Sequence, residues 1–519
     1  MTALQRRAGV FLHPTSLPGP FPVGDLGPAA DRFLDRLTAA GISVWQVLPL
    51  GPTGLGDSPY GALSAFAGSP VLISPERLVE DGLLDAEELG TPAPGSDRVD
   101  YEEARRVKAA LLRTAFERFE QRRVPALVEE QERWAAEPER QRWLGDWALF
   151  AALRSVHQSE PWQRWPEGLR RRAPEALETA RHDLAAPLRF HAFLQFLFDR
   201  QWLRLRAEAR ARGIALFGDL PIYLAPDAAD VWSGPELFEL DAEGNSTAVA
   251  GVPPDYFSAD GQLWGNPLYR WTRMAEDGYA WWVDRLRANF RWFDLLRLDH
   301  FRGFCAYWEV PAAATTAREG RWVDGPGAKL FDALAAALGP LPLVAEDLGV
   351  ITDDVVALRR GFDLPGMAIL QFGFEDGTSQ FQPHRLRPHC VVYTGTHDND
   401  TTPGWFASTS DATRARVLDY LGCSAADAPW AVVRTALTSV AELAIVPAQD
   451  LLGLGSESRL NTPGVAAGNW SWRLREGAFD DSLTARLRRL VEISERLAPP
   501  SPPAESDSAE SPAAPDAAT

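Results

Sequence analysis

Residues 293–304 read Phe293-Asp294-Leu295-Leu296-Arg297-Leu298-Asp299-His300-Phe301-Arg302-Gly303-Phe304, five ionisable side chains in an otherwise apolar, strand-like run. In an extended chain alternate residues share a face, so Arg297 and Asp299 point one way while Leu296 and Leu298 point the other. Neither charge belongs mid-strand in a buried sheet without a partner. A neighbouring guanidinium lowers the pKa of a carboxyl and keeps it ionised at neutral pH, and a shielded, ionised carboxylate is what a nucleophile requires. A structural Arg–Asp pair closing a strand end explains this segment equally well. The decision therefore rests on the rest of the chain.

The chain has 519 residues, long enough for one large barrel with insertions or for two or three ordinary domains. With 45% hydrophobic and 24% charged residues its balance is that of a globular protein. A net charge of −19 argues against nucleic acid or an anionic membrane as partner, because those surfaces select basic patches. A neutral substrate is compatible. Cys305, Cys390 and Cys423 are too few and too scattered for a disulfide framework or a C-x-x-C metal site. Residues 1–10 lack the apolar run of a signal peptide, and no stretch approaches the ~20 apolar residues of a membrane helix. The expectation is a cytoplasmic protein. The 19 Trp offer flat apolar faces that suit the C–H faces of sugars, although most of them are expected to serve packing.

Working outward, Gly9 to Leu12 and Val44 to Leu50 read as strands flanking a helix from Pro28 to Ala40 that carries Phe33, Leu34 and Leu37 on one face. Residues 51–189 break the alternation and read as a mainly helical insertion, with Val107, Leu111, Ala115 and Phe119 spaced along one helix. Further strands are expected at Ile214 to Tyr223, Asp294 to Phe301, Leu341 to Leu348, Met367 to Phe374, Cys390 to Asp398 and Ala444 to Leu451, with helices between them. The count of eight matches a (β/α)8 TIM barrel, and the excess over ~250 residues matches large helical insertions. A doubly wound sheet of similar strand number remains the alternative. The expected organisation is a catalytic barrel over residues 1–498, with groove loops at 225–275 and 450–470 and no separate C-terminal β domain. A disordered acidic Pro/Ala/Ser tail is expected over 499–519.

Barrel chemistry sits at the C-terminal ends of the strands. Four expected strands end in acids there: Asp219, Asp299, Glu346 and Asp398. Any one of them suits a helix cap or an ion pair, a role open to Asp347 and Asp353 as well. All four together point to one cavity. Clustered carboxylates with Arg and His among them suit glycoside chemistry, in which one acid attacks the sugar carbon and another, of raised pKa, protonates the leaving oxygen. The spacings of a zinc site are absent, and Arg297 disfavours a cation beside Asp299. No metal and no cofactor are expected.

Seven stretches, in order, resemble glycoside hydrolase family 77, the amylomaltases or 4-alpha-glucanotransferases of the alpha-amylase clan. They are Gly218 to Tyr223, Gly251 to Phe257, Trp264 to Tyr269, Arg297 to Gly303, Ala345 to Gly349, Thr394 to Asn399, and Gly453 to Gly464 with Asn469-Trp470. The resemblance runs from about Gly9 to about Leu490. It implies that Asp299 is the nucleophile, Glu346 the general acid/base and Asp398 a third carboxylate that stabilises the transition state. It further implies that Arg297, His397, Asp219, His300 and Tyr60 bind the reacting sugar, and that Trp264 and Asn461 border the groove. Leu55 departs from the family, standing where some relatives carry Tyr. The implied reaction is retaining transfer between alpha-1,4-glucans or maltooligosaccharides, with glucose as an acceptor and an Asp299–Glu346 carboxyl separation near ~5.5 Å. An alpha-glucan hydrolase using the same acids and an inactive glucan-binding barrel are the rival readings.

Overall fold

The alternation at residues 295–299 is realised as a strand in which Leu296 and Leu298 face outward, buried against the surrounding helices, while Arg297 and Asp299 share the opposite face. In the computed structural model, which describes residues 6–90, 96–254 and 259–497 apart from the side chain of Leu55, this strand is one of eight. They are β1 (Arg7–Phe11), β2 (Val44–Gln46), β3 (Ala215–Pro221), β4 (Leu295–Asp299), β5 (Leu343–Ala345), β6 (Gly366–Ile369), β7 (Cys390–Tyr393) and β8 (Leu443–Pro447). Every ladder between them is parallel, in the order β6-β7-β8-β1-β2-β3-β4-β5.

The ends of this row meet. The Ala345 N–H donates to the Pro365 carbonyl at 2.9 Å, and the Asp347 carboxylate accepts the Met367 N–H at 2.7 Å across the same seam. Asp347, a candidate helix cap by sequence, is thus a seam residue between β5 and β6. An open doubly wound sheet would leave those two strands as free edges. The fold is a (β/α)8 barrel.

Most strands are shorter than their apolar runs suggest, β5 and β7 among them. β2 ends at Gln46, ahead of Pro49, while β6 and β8 give way to the short helices Leu370–Gly373 and Ala448–Leu451. The apolar run continues because these turns are buried too: Leu370, Ala448 and Leu451 are enclosed. Outside the barrel, the helix Pro28–Ala39 starts with Pro at its first position, stops before Gly41 (φ 74°) and buries Phe33, Leu34 and Leu37 as the periodicity predicts. No helix of the described residues is long and apolar enough to cross a membrane.

The helix Tyr101–Arg122 is capped by Asp100, which accepts the Glu103 N–H at 3.0 Å. Its buried stripe runs through Ala104, Lys108, Leu112, Ala115 and Phe119, not through Val107 and Leu111 as expected. A lysine on the buried face is what the hydrophobic pattern concealed. Lys108 is 1% exposed and donates to Asp25 Oδ2 (2.7 Å) and to the carbonyls of Val71 (2.7 Å) and Ile73 (3.0 Å), tying this helix to the loops above β1 and β2.

A second sheet, antiparallel and four-stranded, was not expected. Its strands lie in the order Gln262–Pro267, Ala248–Val252, Ala306–Pro311 and Arg321–Asp324. Two of them fall in the region expected as groove loops and two directly follow β4 in the chain, so the pairing of Ala248 with Pro311 joins segments from either side of β4. The sheet carries Trp264. The expected tail at 499–519 and residues Asp255, Tyr256 and Phe257 of the quoted motif lie outside the described residues.

Replacing Lys108 by Met removes the donor to Asp25 Oδ2 and to two carbonyls, leaving the buried carboxylate only the Gly27 N–H on its other oxygen. Lys108→Met is expected to destabilise the protein by about 3–5 kcal/mol in denaturant titration, whereas substitution of an exposed position on the same helix, such as Ala109→Ser, changes stability by less than about 0.5 kcal/mol.

Candidate active site

The ladder between β3 and β4 sets Asp219 opposite Arg297 and Pro221 opposite Asp299. Directly paired residues point to the same face, here the barrel interior. The guanidinium joins the two acids, donating from Nη1 to Asp219 Oδ2 at 2.6 Å and from Nη2 to Asp299 Oδ1 at 2.7 Å. Burial works against the charge of Arg297, but Asp219 and Asp299 outweigh it and hold its pKa well above the usual value. Asp219 is buried, which pushes its carboxyl upward while Arg297 pulls the other way. Asp299 keeps 27% side-chain exposure. Of the two acids that Arg297 bridges, Asp299 is the one open to a substrate.

Tyr60 arrives from the turn Pro59–Gly61 above β2 and donates its hydroxyl to Asp219 Oδ2 at 2.7 Å. Its ring stacks on His397, with centroids 5.1 Å apart, and His397 Nε2 lies 3.4 Å from Asp398 Oδ1. Asn461 donates Nδ2 to the same Asp398 oxygen at 2.6 Å and its N–H to the His397 carbonyl at 3.1 Å.

Glu346 follows β5 directly. Its Oε2 accepts the His300 N–H at 2.7 Å and its Oε1 accepts the Leu348 N–H at 3.0 Å. His300 itself adopts the left-handed conformation (φ 53°), which turns the chain that follows it sharply away from the strand direction. Burial raises the Glu346 pKa to about 7; the charge on Asp299 adds to this, while Arg297 and the two backbone donors oppose it. Burial also lowers His300 to about 4, so this imidazole is neutral at physiological pH. The Trp264 indole meets the His300 ring edge-on at 4.7 Å and remains 37% exposed.

All ten residues singled out in the sequence are therefore joined at the C-terminal mouth of the barrel, but two acids sit differently from expectation. Asp219 lies within β3, not at its end, because β3 continues to Pro221. Asp398 does not end β7, which stops at Tyr393; it rides on the loop before the helix Thr402–Ser408. Sequence reasoning also missed Arg459, which donates to the carbonyls of Asp398 (2.5 Å) and Asn461 (2.7 Å). Nothing in its local pattern separates it from a surface arginine. Trp470, quoted only as part of a motif, is buried against Tyr60 and His397 at centroid distances of 6.0 and 5.9 Å. Among the described residues no group of three or more His, Cys, Asp or Glu is placed to hold a metal ion.

A closed parallel barrel whose C-terminal mouth gathers an arginine-bridged carboxyl and a second carboxyl of raised pKa has the build of a carbohydrate-active enzyme. The family model described as 4-alpha-glucanotransferase matches residues 12–479, and the chain belongs to this family, that of the amylomaltases. It is 51% identical to the 4-alpha-glucanotransferase of Thermus thermophilus, over 95% of this chain and the whole of that one. It is 49% identical to that of Synechocystis, over 94% of this chain and 98% of the relative. The amylomaltase of Streptococcus agalactiae, solved in complex with acarbose, superposes with a TM-score of 0.92 at 35% identity, covering 95% of this chain and all of that one.

Lysine keeps the charge at position 297 but lacks the planar fork that reaches two carboxylates at once. Arg297→Lys is expected to lower kcat/KM on maltotriose by about 100-fold, the scale of a mispositioned reacting group, with the far-ultraviolet circular dichroism unchanged.

Proposed function

We propose that this protein is a 4-alpha-glucanotransferase that moves segments of alpha-1,4-glucans onto the 4-hydroxyl of another glucan, or of glucose, by retaining double displacement. The single observation that carries the mechanism is the contrast between two carboxyls on adjacent strands. Asp299 is hydrogen-bonded to the Arg297 guanidinium and open to a substrate, whereas Glu346 is raised to about 7, so that about half of the molecules hold its proton at neutral pH. In this reading Asp299 attacks the anomeric carbon, the glycosidic bond breaks, and the Glu346 proton passes to the leaving oxygen. An acceptor 4-hydroxyl then gives its proton to Glu346 and displaces Asp299, restoring both acids.

The surrounding groups take supporting parts. Asp398, held by Asn461 and next to His397, faces the sugar as a third carboxylate, and Tyr60, Asp219 and neutral His300 complete a polar pocket for hydroxyl groups. Trp264, exposed over His300, offers a ring face on the acceptor side. Transfer prevails over hydrolysis when an acceptor sugar is bound and water is kept out, and the loop from Gly453 to Gly464 together with the strand Gln262–Pro267 supplies walls for this. The three free thiols, Cys305, Cys390 and Cys423, fit a reducing compartment.

Chromatography of products from maltotriose tests the reading. Longer maltooligosaccharides plus glucose are expected from the native protein. Asp299→Asn and Glu346→Gln should each lower the rate by at least about 100-fold, the lower end of what a positioned acid or base contributes. Growth of reducing ends without longer chains would mean a hydrolase, and binding without turnover an inactive barrel.

The raised Glu346 also gives pH dependences with definite sign. Activity is expected to fall as pH rises through about 7, where the general acid loses its proton. Between its ordinary value of 4.5 and about 7 the folded protein holds more protons at this site than the unfolded chain, so its contribution to stability declines as pH rises across that window. The melting temperature of Glu346→Gln relative to the native protein should therefore be higher at pH 8 than at pH 5.

A further inference from the structure

Asp398 is the acid of the site that no strand holds. It stands at the tip of the loop between Thr394 and Thr402, and ordering such a loop costs backbone entropy that other contacts must offset. At the tip, Asn461 and Arg459 hold Asp398 from the neighbouring loop. At the base the two ends of the loop are joined by a residue that takes no part in the chemistry described above.

That residue is Asp450, in the short helix Ala448–Leu451 after β8, with 3% of its surface exposed. Its Oδ2 accepts the hydroxyls of Thr394 at 2.5 Å and Thr402 at 2.7 Å, and its Oδ1 accepts the Thr402 N–H at 2.6 Å. Both threonines are themselves fully buried. One carboxylate thus grips the two ends of the loop that bears His397 and Asp398. Gln371, also buried, adds a second tie from the short helix after β6, donating Nε2 to the Asp400 carbonyl at 2.9 Å and its N–H to the Thr394 carbonyl at 3.3 Å. Within the loop, Asn399 Oδ1 accepts the N–H and the hydroxyl of Thr396, both at 2.9 Å. A buried carboxylate is a costly means of joining two segments that apolar side chains would hold at less expense, and what it adds is a defined geometry for the hydrogen-bonded ends.

We propose that Asp450 is a positioning residue for the transfer reaction, setting where the Asp398 carboxylate meets the sugar by clamping Thr394 to Thr402. The inference rests on the reading of Asp398 as the third carboxylate. Asp450 touches no substrate, and its effect passes wholly through the loop.

Asparagine at position 450 can keep the clamp. Its Oδ1 still accepts the Thr402 N–H, and both threonine hydroxyls can rotate to accept from its amide nitrogen. Alanine leaves three donors unanswered in a sealed site. Asp450→Ala is expected to reduce kcat on maltotriose by about 100-fold, and Asp450→Asn to restore it to within about tenfold of native. In an Asp398→Asn background, assayed by long incubation, Asp450→Ala should cost no more than about threefold further, because residues acting as one unit are non-additive. Equal losses from Asp450→Ala in both backgrounds would overturn the proposal. So would an Asn variant as impaired as the Ala variant, or a loss of activity that merely tracks the unfolded fraction of the same sample. If Asp450→Ala does not fold, Thr402→Val removes one hydroxyl with little change of shape, and the same non-additivity is expected of it. Absence of longer chains from the native protein would instead sink the transferase reading, a failure visible before any variant is made.

Discussion

The site depends on one buried guanidinium. Arg297 lies between Asp219 and Asp299 on two adjacent strands, with hydrogen bonds of 2.6 and 2.7 Å, and Tyr60 donates to the same Asp219 oxygen as Arg297. Without that cation, two carboxyls inside a barrel would face each other with no donor between them. With it, both are hydrogen-bonded and Asp299 is fixed at the edge of the cavity. The arrangement follows from the ladder between β3 and β4, which sets Asp219 opposite Arg297. A slip of one residue would turn Asp219 to the outer face and leave the guanidinium half-paired.

From this centre the site divides into a rigid part and an adjustable part. Asp299 closes β4 and Glu346 directly follows β5, so the two acids assigned to bond making and bond breaking are fixed by the barrel itself. His300 links them, because its N–H is a donor that anchors Glu346. Asp398, His397, Asn461 and Trp264 come instead from loops and from the side sheet. Elements of that kind shape a groove around a polymeric substrate, while the reacting acids stay on the scaffold.

Legibility followed the range of the interactions. The helix Pro28–Ala39 was readable because its apolar spacing and its Pro and Gly ends are local signals. The helix Tyr101–Arg122 was readable as a helix, but its buried face was misjudged: the partner of Lys108 is Asp25, far away in the chain, and no window around position 108 contains it. The antiparallel side sheet escaped notice for the same reason, since Ala248–Val252 pairs with Ala306–Pro311 across the whole of β4 and its preceding helices. Arg459 and Asp450 look like ordinary surface and loop residues until the loops that they bind are folded against them.

The sequence alone determined the strand count, the alternation that places Arg297 beside Asp299, and which acids to seek at the barrel mouth, because each of these is written in local periodicity or in a motif. Only the tertiary structure decided that the eight strands close through the Ala345–Pro365 and Asp347–Met367 bonds. It likewise decided that Glu346 is raised to about 7, and that Asp398 reaches the same mouth on a loop clamped by Asp450. Closure, desolvation and loop anchoring depend on groups brought together from distant parts of the chain, and their energies exist only once those groups are in contact.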